Sequence, residues 1–556
     1  MTAIYAIFSR IFRPFRQYLL SLQIKSQGKM QNLIRNKIFL VALAVVLLSL
    51  GWLRVTGLTL LVALVPLLVL SASYDASRRS FWRVAGWSWL TMLAWAIVTC
   101  WWIWNSTPAG AVAALLVTAT LPTVALMAYH YVSKRAPKAL AYCTLVGAWI
   151  ALEYFYLTTE ASFPWLTLGN GFANEVWAVQ WYEWTGVYGG SLWVLICNLL
   201  FFEALRSRSV RRAVAGMVAA VVPIVVSAVI WFSYDESDEK VKISVVQPNF
   251  SCFPIDQKYD LPDSVQDSIF RALIAQCPAD SRYVLLPETA LGANSAIWEN
   301  DWSAAAIDNI RSAQEEYLPD GTVITGASTL RLYPFGEPAS ATARVRGTMR
   351  YDVYNSALEF APQGEFDVRH KIKLVVGAEK VPYPRLMTLI SGLIVELGGS
   401  SGQLGTDPAP KNFGTEELPI GVAICYESVY GEFYSDFVRR GAKVMSVITN
   451  DGWWGETNGH RQHFSYSRLR AVETRRSVAR SANTGISGFI DPRGRVISTL
   501  GWDERGVLTA EVPVEERTTL YVRMGDYVAR LSCYLLLLCV LYYVAYRIRR
   551  RNHLVN

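Results

Sequence analysis

Val241-Lys-Ile-Ser-Val-Val-Gln-Pro-Asn249 is where the chain changes character. Its first seven residues read as a buried β-strand, and Pro248-Asn249 close it in a loop. Upstream lie long apolar runs parted by short charged loops. Downstream, β-type runs alternate with helical ones for about 270 residues. Such alternation suits one layered α/β domain with a large core. The fold class expected is therefore a polytopic α-helical membrane domain joined to an α/β domain.

The upstream half has candidate spans at about 37–53, 56–73, 84–104, 110–131, 138–157, 187–206 and 213–232, and one more follows at about 528–546. A spanning helix needs roughly 20 apolar residues, so the first two are short and fit a tight or tilted hairpin. The loops alternate in charge. Arg10 to Arg35, Arg78 to Arg83, Lys134 to Lys138, Arg206 to Arg212 and Arg547 to Arg551 are basic, whereas the loops at 105–110 and 158–186 and the Asp235–Glu239 run are not. Basic loops mark the cytoplasmic side, so both termini are expected there and residues 240–520 outside. The domains then read as a basic amphipathic N-terminus at 1–36, a membrane domain at 37–232, a catalytic domain at 240–520, a last span at 528–546 and a basic tail at 547–556.

The bulk numbers agree with a mixed protein. Of 556 residues 52% are hydrophobic and 13% aromatic, with 20 Trp, and mean hydropathy is +0.23. The net charge of +8 follows the apolar runs, so it is a topology signal and nucleic acid is not expected as a partner. The 8 Cys and 5 His lack metal-ligand spacing, so neither metal nor cofactor is expected. Cys252 and Cys277 both fall in the external half, where a disulfide between them is open. The 158–186 loop, with Phe163-Pro-Trp165-Leu166 and Asn170-Gly-Phe172, reads either as an interfacial aromatic belt or as a surface that receives lipid or peptide.

Chemistry concentrates at strand ends. Glu288 follows the apolar strand from Arg282 and Pro287. Cys425 ends Gly421-Val-Ala-Ile-Cys425 and precedes a helix-like run, so a strand-to-helix turn should present its thiol and a helix N-terminus should favour the thiolate. Each alone has a bland reading, an inert buried cysteine or a capping glutamate. With Lys371 they form a Cys–Glu–Lys set able to act as nucleophile, general base and oxyanion-stabilising cation.

At these residues the chain resembles the nitrilase superfamily, whose catalytic Glu, Lys and Cys follow in this order. It resembles most its membrane branch, the apolipoprotein N-acyltransferases. Pro287-Glu288-Thr289 looks like the glutamate motif, Lys371-Ile-Lys-Leu-Val-Val-Gly-Ala-Glu379 the lysine segment, and Cys425-Tyr426-Glu427 the nucleophile motif. Asn450-Asp-Gly-Trp453-Trp-Gly455, Gln462-His463, Arg470-Ala-Val-Glu473 and Asn483-Thr-Gly485 look like the downstream signature, and Phe163-Pro-Trp165 like a membrane-half feature. The resemblance implies an αββα sandwich with Glu288, Lys371 and Cys425 catalytic. Glu379, Tyr426, Glu427, Trp165, Trp453 and Asn450 would support them or bind substrate. Where many members have Pro-Phe-Gly, this chain has Val376-Gly377-Ala378, which keeps Lys373 open as an alternative to Lys371.

The resemblance further implies acyl transfer from a phospholipid, commonly phosphatidylethanolamine, through a Cys425 thioester to diacylglyceryl apolipoproteins at the bacterial inner membrane, with the catalytic domain periplasmic. A membrane-tethered nitrilase-type amidohydrolase would use the same triad, and the seven-span front end favours the transferase over it. A scaffold or transporter fits less well, because few ionisable residues lie within the spans. The apolar stretch Met387–Leu397 is too short to span and reads as a membrane-touching lid hinged at Gly398, Gly399 and Gly402, with a core helix as the bland reading.

Overall fold

A computed structural model describes residues 36–252, 257–383 and 403–555. The amphipathic N-terminus and the Met387–Leu397 lid lie outside the described residues.

Among the described residues six helices are long and apolar enough to cross a membrane: Arg78–Asn105, Pro108–Ser133, Lys138–Thr158, Tyr182–Ser207, Val210–Ser233 and Tyr527–Asn552. The two short candidates form apolar helices at Lys37–Ser49 and Leu60–Ala72. Thirteen residues rise only about 20 Å, less than a bilayer core, so Lys37–Ser49 cannot span upright. The second helix breaks at Leu64, just before Pro66. There the Asn198 side chain accepts the N–H groups of Leu64 and Val65 at 2.7 and 3.1 Å, satisfying donors that the break frees.

The soluble half is two sheets back to back. In the first, Lys240–Gln247 pairs antiparallel with Gly506–Pro513 and parallel with Tyr283–Leu285; Thr322–Tyr333, Met349–Phe360 and Phe366–His370 extend it. The second runs Val496–Leu500, Ser487–Ile490, Val478–Ala482, Val444–Thr449, Pro419–Ile424, Asn412–Gly414. Ile243, Val245 and Leu285 meet Ile420, Val422 and Ile424 in the core between the sheets. Helices Asp263–Ile274 and Ala305–Tyr317 cover the outer face of the first sheet, and Gly431–Arg439 with Asn458–Thr474 that of the second. The expected αββα sandwich is what the chain forms.

Two elements differ from the sequence reading. Residues 460–480 read as one helix, but the helix ends at Thr474, where Arg475 takes φ +50°, and Val478–Ala482 becomes a strand inside the second sheet. By sequence 367–375 reads as one strand, but it ends at His370: the Lys371 N–H still reaches the Asn355 carbonyl, and the Ile372 and Lys373 N–H groups turn to the Glu427 carboxylate. No disulfide joins Cys252 and Cys277; Cys277 is a free thiol directed at the Leu273 carbonyl.

The 158–186 connection turns most of its two motifs inward, while its Trp177 and Trp184 stay exposed. It folds as three short 3-10 turns whose Trp165, Asn170 and Phe172 are buried where the two halves meet. The Trp165 indole N–H donates to Gln462 Oε1 at 2.7 Å, while Gln462 Nε2 donates to the carbonyls of Trp52 and Thr99 at 3.0 and 3.1 Å. Arg475 also pairs with Glu183 at 2.7 Å across this seam. The membrane helices thus hold the soluble half in one pose.

Candidate active site

Glu288, Lys371, Cys425 and Asn450 each follow the carboxyl end of a strand, where layered α/β sheets gather ligand-binding groups. Cys425 takes φ +51°, a left-handed conformation disfavoured for a side-chain-bearing residue. Its carbonyl is pinned by the Ser428 hydroxyl at 2.7 Å, and the His463 ring lies 3.2 Å away. Thr289 also takes φ +51°, turning the chain just after Glu288. Glycine is required opposite it, since a Cβ on Gly326 would lie 2.5 Å from the Thr289 nitrogen.

Glu288, Lys371 and Glu379 form one buried chain of charges. Lys371 Nζ donates to Glu288 Oε1 at 2.9 Å and to Glu379 Oε1 at 2.8 Å. Asn355 Nδ2 donates to the same two carboxylates at 2.8 and 2.9 Å, and the Asn450 N–H donates to Glu288 Oε2 at 3.0 Å. Glu379 Oε2 accepts the Val375 N–H at 2.7 Å, closing the loop that follows the lysine. Lys373 lies apart, with Nζ 5.5 Å from the Tyr430 and Phe433 ring centroids. The geometry therefore selects Lys371 as the lysine that meets Glu288.

Burial alone would raise the Glu288 carboxyl, but the Lys371 charge and the hydrogen bonds from Lys371 and Asn355 outweigh it and hold it below its ordinary value. Burial likewise opposes charge on Lys371, and Glu288 and Glu379 reverse that, holding the ammonium well above its ordinary value. The thiol differs. Burial, then the Glu288 charge, push Cys425 up, and Lys371 offsets only part. The expected helix N-terminus does not reach it: a 3-10 turn, Cys425–Val429, separates it from Gly431–Arg439. The shifts therefore favour the protonated thiol at Cys425 and the ionised carboxylate at Glu288.

Glu427 is fully buried. One oxygen accepts the N–H groups of Ile372 and Lys373, and the other accepts the Ile424 N–H and the Arg369 guanidinium. The Tyr426 hydroxyl donates to the Ser162 carbonyl at 3.1 Å, tying the nucleophile turn to the membrane half. Trp453 is half-buried and packs on Tyr259, 5.6 Å between rings, away from the triad. Its neighbour Trp454 instead packs against Trp102, Trp165 and His463. Asn355 and Trp454 are the site residues that sequence reasoning missed. An isolated Asn inside a strand and the second of two adjacent tryptophans carry no separate signal.

Beside Cys425 lies an apolar cavity of about 110 Å³, whose walls include Trp102, Gly110, Ala114, Tyr156, Val376 and Trp454. Most of that wall comes from the membrane half. Cys425, Asp451 and His463 also bring potential ligand atoms within 4.8 Å of one another. However, Arg480 sits 2.6 Å from Asp451 Oδ2, and a fixed cation there opposes a metal ion.

Comparison with known proteins agrees with this geometry. The carbon-nitrogen hydrolase family model matches residues 274–521, and the model of the apolipoprotein N-acyltransferase N-terminal domain matches residues 39–200. A relative from Chlorobaculum tepidum named apolipoprotein N-acyltransferase is 31% identical over 84% of this chain and 88% of its own. Relatives of the same name from Geobacter metallireducens and Gloeobacter violaceus are 28% and 27% identical, over 68% and 88% of this chain and 69% and 89% of theirs. A membrane half and a nitrilase-like half, matched together along most of their length, make this chain a member of the apolipoprotein N-acyltransferase family.

Proposed function

We propose that this protein moves an acyl chain from a membrane phospholipid, phosphatidylethanolamine foremost, to the α-amine of an S-diacylglyceryl-cysteine at a lipoprotein N-terminus. The observation that carries the reading is the apolar cavity against Cys425, built largely by membrane helices. At about 110 Å³ it falls well under the roughly 300 Å³ at which small-molecule pockets begin. It suits the ester end of a long chain whose remainder stays in lipid. A soluble amide substrate needs no such wall.

In the first half-reaction Glu288 takes the Cys425 thiol proton as sulfur attacks the ester carbonyl. Lys371 has three N–H donors and gives two to Glu288 and Glu379, which leaves the third for the oxyanion. The C–O bond breaks, Glu288 returns its proton to the departing glycerol oxygen, and lysophospholipid leaves. The lipoprotein amine then attacks the thioester, Glu288 takes the ammonium proton, the C–S bond breaks, and Cys425 regains a proton. Glu379 and Asn355 hold Lys371 and Glu288 in register. Asn450 fixes the Glu288 oxygen that accepts its backbone N–H, and Glu427 and Tyr426 brace the nucleophile turn.

The charge pattern of the loops supports a periplasmic catalytic domain at 240–520 and cytoplasmic termini in a bacterial inner membrane, which six long spans plus a short apolar hairpin satisfy as well as the expected eight spans. Both substrates are lipids of the outer leaflet, on the side where that topology puts the triad.

Intact-protein mass spectrometry of the enzyme incubated with phosphatidylethanolamine tests the assignment. A hydroxylamine-labile acyl adduct is expected on the wild type and not on Cys425→Ala, discharged by a diacylglyceryl lipopeptide. An adduct that persists in Cys425→Ala would move the nucleophile elsewhere; one that only water removes would favour the amidohydrolase chemistry.

A further inference from the structure

With Lys371 seated between Glu288 and Glu379, Lys373 has no part in the triad. It lines a second pocket, of about 490 Å³, which shares Ser162 with the apolar cavity. Lys380 joins it there. Hydrogen bonds from the Glu379 and Lys380 N–H groups to the Val375 carbonyl, and from the Gly377 N–H to the Lys380 carbonyl, turn the chain back on itself. Gly377 at φ +89° lies in that turn, which returns Lys380 toward Lys373.

Both lysines are half-buried, and among the described residues neither forms an ion pair. Two of the pocket's four acids are paired with arginines, and the other two accept hydrogen bonds from neighbours other than these lysines. Glu432 pairs with Arg530 at 3.0 Å and Asp436 with Arg439 at 3.3 Å. Glu160 accepts the Tyr383 N–H and Asp526 the Tyr521 hydroxyl, each at 2.6 Å. Burial lowers both lysines, and the Lys373 charge lowers Lys380 further; Glu427 and Glu432 offset part of this at Lys373, and Glu160 and Glu379 part of it at Lys380, so an anion between the two lysines would favour the charge on both.

Position narrows the anion. Tyr154, Leu157 and Thr158 line the pocket at one end of Lys138–Thr158, a helix long and apolar enough to cross a membrane, and the ends of spanning helices meet the headgroup region. Ser162 belongs to the walls of both this pocket and the apolar cavity, its hydroxyl 2.6 Å from that of Tyr430. We propose that Lys373 and Lys380 bind the phosphodiester of the acyl-donor phospholipid in this pocket while its ester reaches Cys425. This rests on the acyl-transfer reading above and adds a subsite to it. A diacylglyceryl lipoprotein carries no phosphate, so the subsite serves the first half-reaction alone.

The test uses the full-length enzyme with Lys373→Gln, Lys380→Gln and the corresponding arginine variants. Thioester formation is followed with phosphatidylethanolamine in micelles and with p-nitrophenyl palmitate, which lacks phosphate. Each glutamine variant should raise the phosphatidylethanolamine concentration for half-maximal loading roughly tenfold, the loss of one charge-assisted hydrogen bond, with arginine restoring most of it. Loading from the p-nitrophenyl ester should fall far less. Equal losses with both donors would overturn the proposal, as would unchanged loading from phosphatidylethanolamine. Wild type that loads from neither donor would instead sink the acyl-transfer reading. Soluble glycerophosphoethanolamine should compete with the lipid in wild type; competition by inorganic phosphate alone would make this a free-anion site and defeat the lipid assignment.

Discussion

The Glu427 carboxylate accepts the Ile372 N–H at 2.7 Å with one oxygen and the Ile424 N–H at 2.8 Å with the other. A single side chain therefore ties the residue after the candidate lysine to the residue before the candidate nucleophile. Arg369, also fully buried, neutralises it at 2.7 and 3.0 Å. Glu427→Ala would strand that guanidinium, at a cost of roughly 3–5 kcal/mol. A large fall in Tm is expected by thermal unfolding in detergent. Glu427→Gln keeps the shape but loses the charge and sets an NH2 against N–H donors, so it should lower Tm less than the alanine variant while thioester formation slows by at least tenfold, roughly the value of one charged hydrogen bond.

Asn355 donates to both Glu288 and Glu379, so Asn355→Asp would set a third carboxylate against two. Like charges raise a carboxyl, and Glu288 would then hold its proton to higher pH. In wild type Glu288 sits below its ordinary value and remains an available base down through the weakly acidic range. The acid limb of thioester formation should therefore move upward by about one pH unit or more in Asn355→Asp. An unmoved limb would remove Glu288 from the base role.

Ala114 lines the apolar cavity beside Cys425. Ala114→Phe would fill much of the roughly 110 Å³ available. Donors with long acyl chains should load more slowly, and short-chain donors should lose less. Competition between two phosphatidylethanolamines of unequal chain length, read as the mass of the adduct, reports the shift. An unchanged ratio would place the chain elsewhere.

His370 stands between Asp407, 2.7 Å from Nδ1, and Glu299, 2.8 Å from Nε2. Burial opposes its charge, but the two carboxylates win and raise it to about 9. A raised imidazole contributes stability that is complete below its unfolded value near 6.5 and is lost as pH rises through about 9. Tm should fall as pH rises from neutral through that range, and His370→Gln should flatten the slope. Equal slopes would show that the clamp does not titrate there.

Much of this was legible in the sequence, and the residues that were not share a cause. Glu288 and Cys425 follow apolar strands, where period-two patterns end in turns, so their placement could be read. Lys371 and Lys373 could not be separated, because residues two apart on a strand share a face; the choice depends on the chain leaving the sheet at His370. Val478–Ala482 read as a helix tail because Glu473 to Ser477 is polar and helix-compatible, and pairing beside Val444–Thr449 overrode that preference. Trp453 and Trp454 are alike in sequence, yet a 3-10 turn sends one to Tyr259 and the other to the cavity.

The tryptophan-lined chamber also has a kinetic meaning. A thioester formed on Cys425, as proposed, would sit against an apolar wall that disfavours water, and so would decay slowly while it waits for an acceptor. On the proposed reaction, the fraction of molecules carrying an acyl group would then follow the supply of acceptor: near full when none arrives, and drained when it is plentiful.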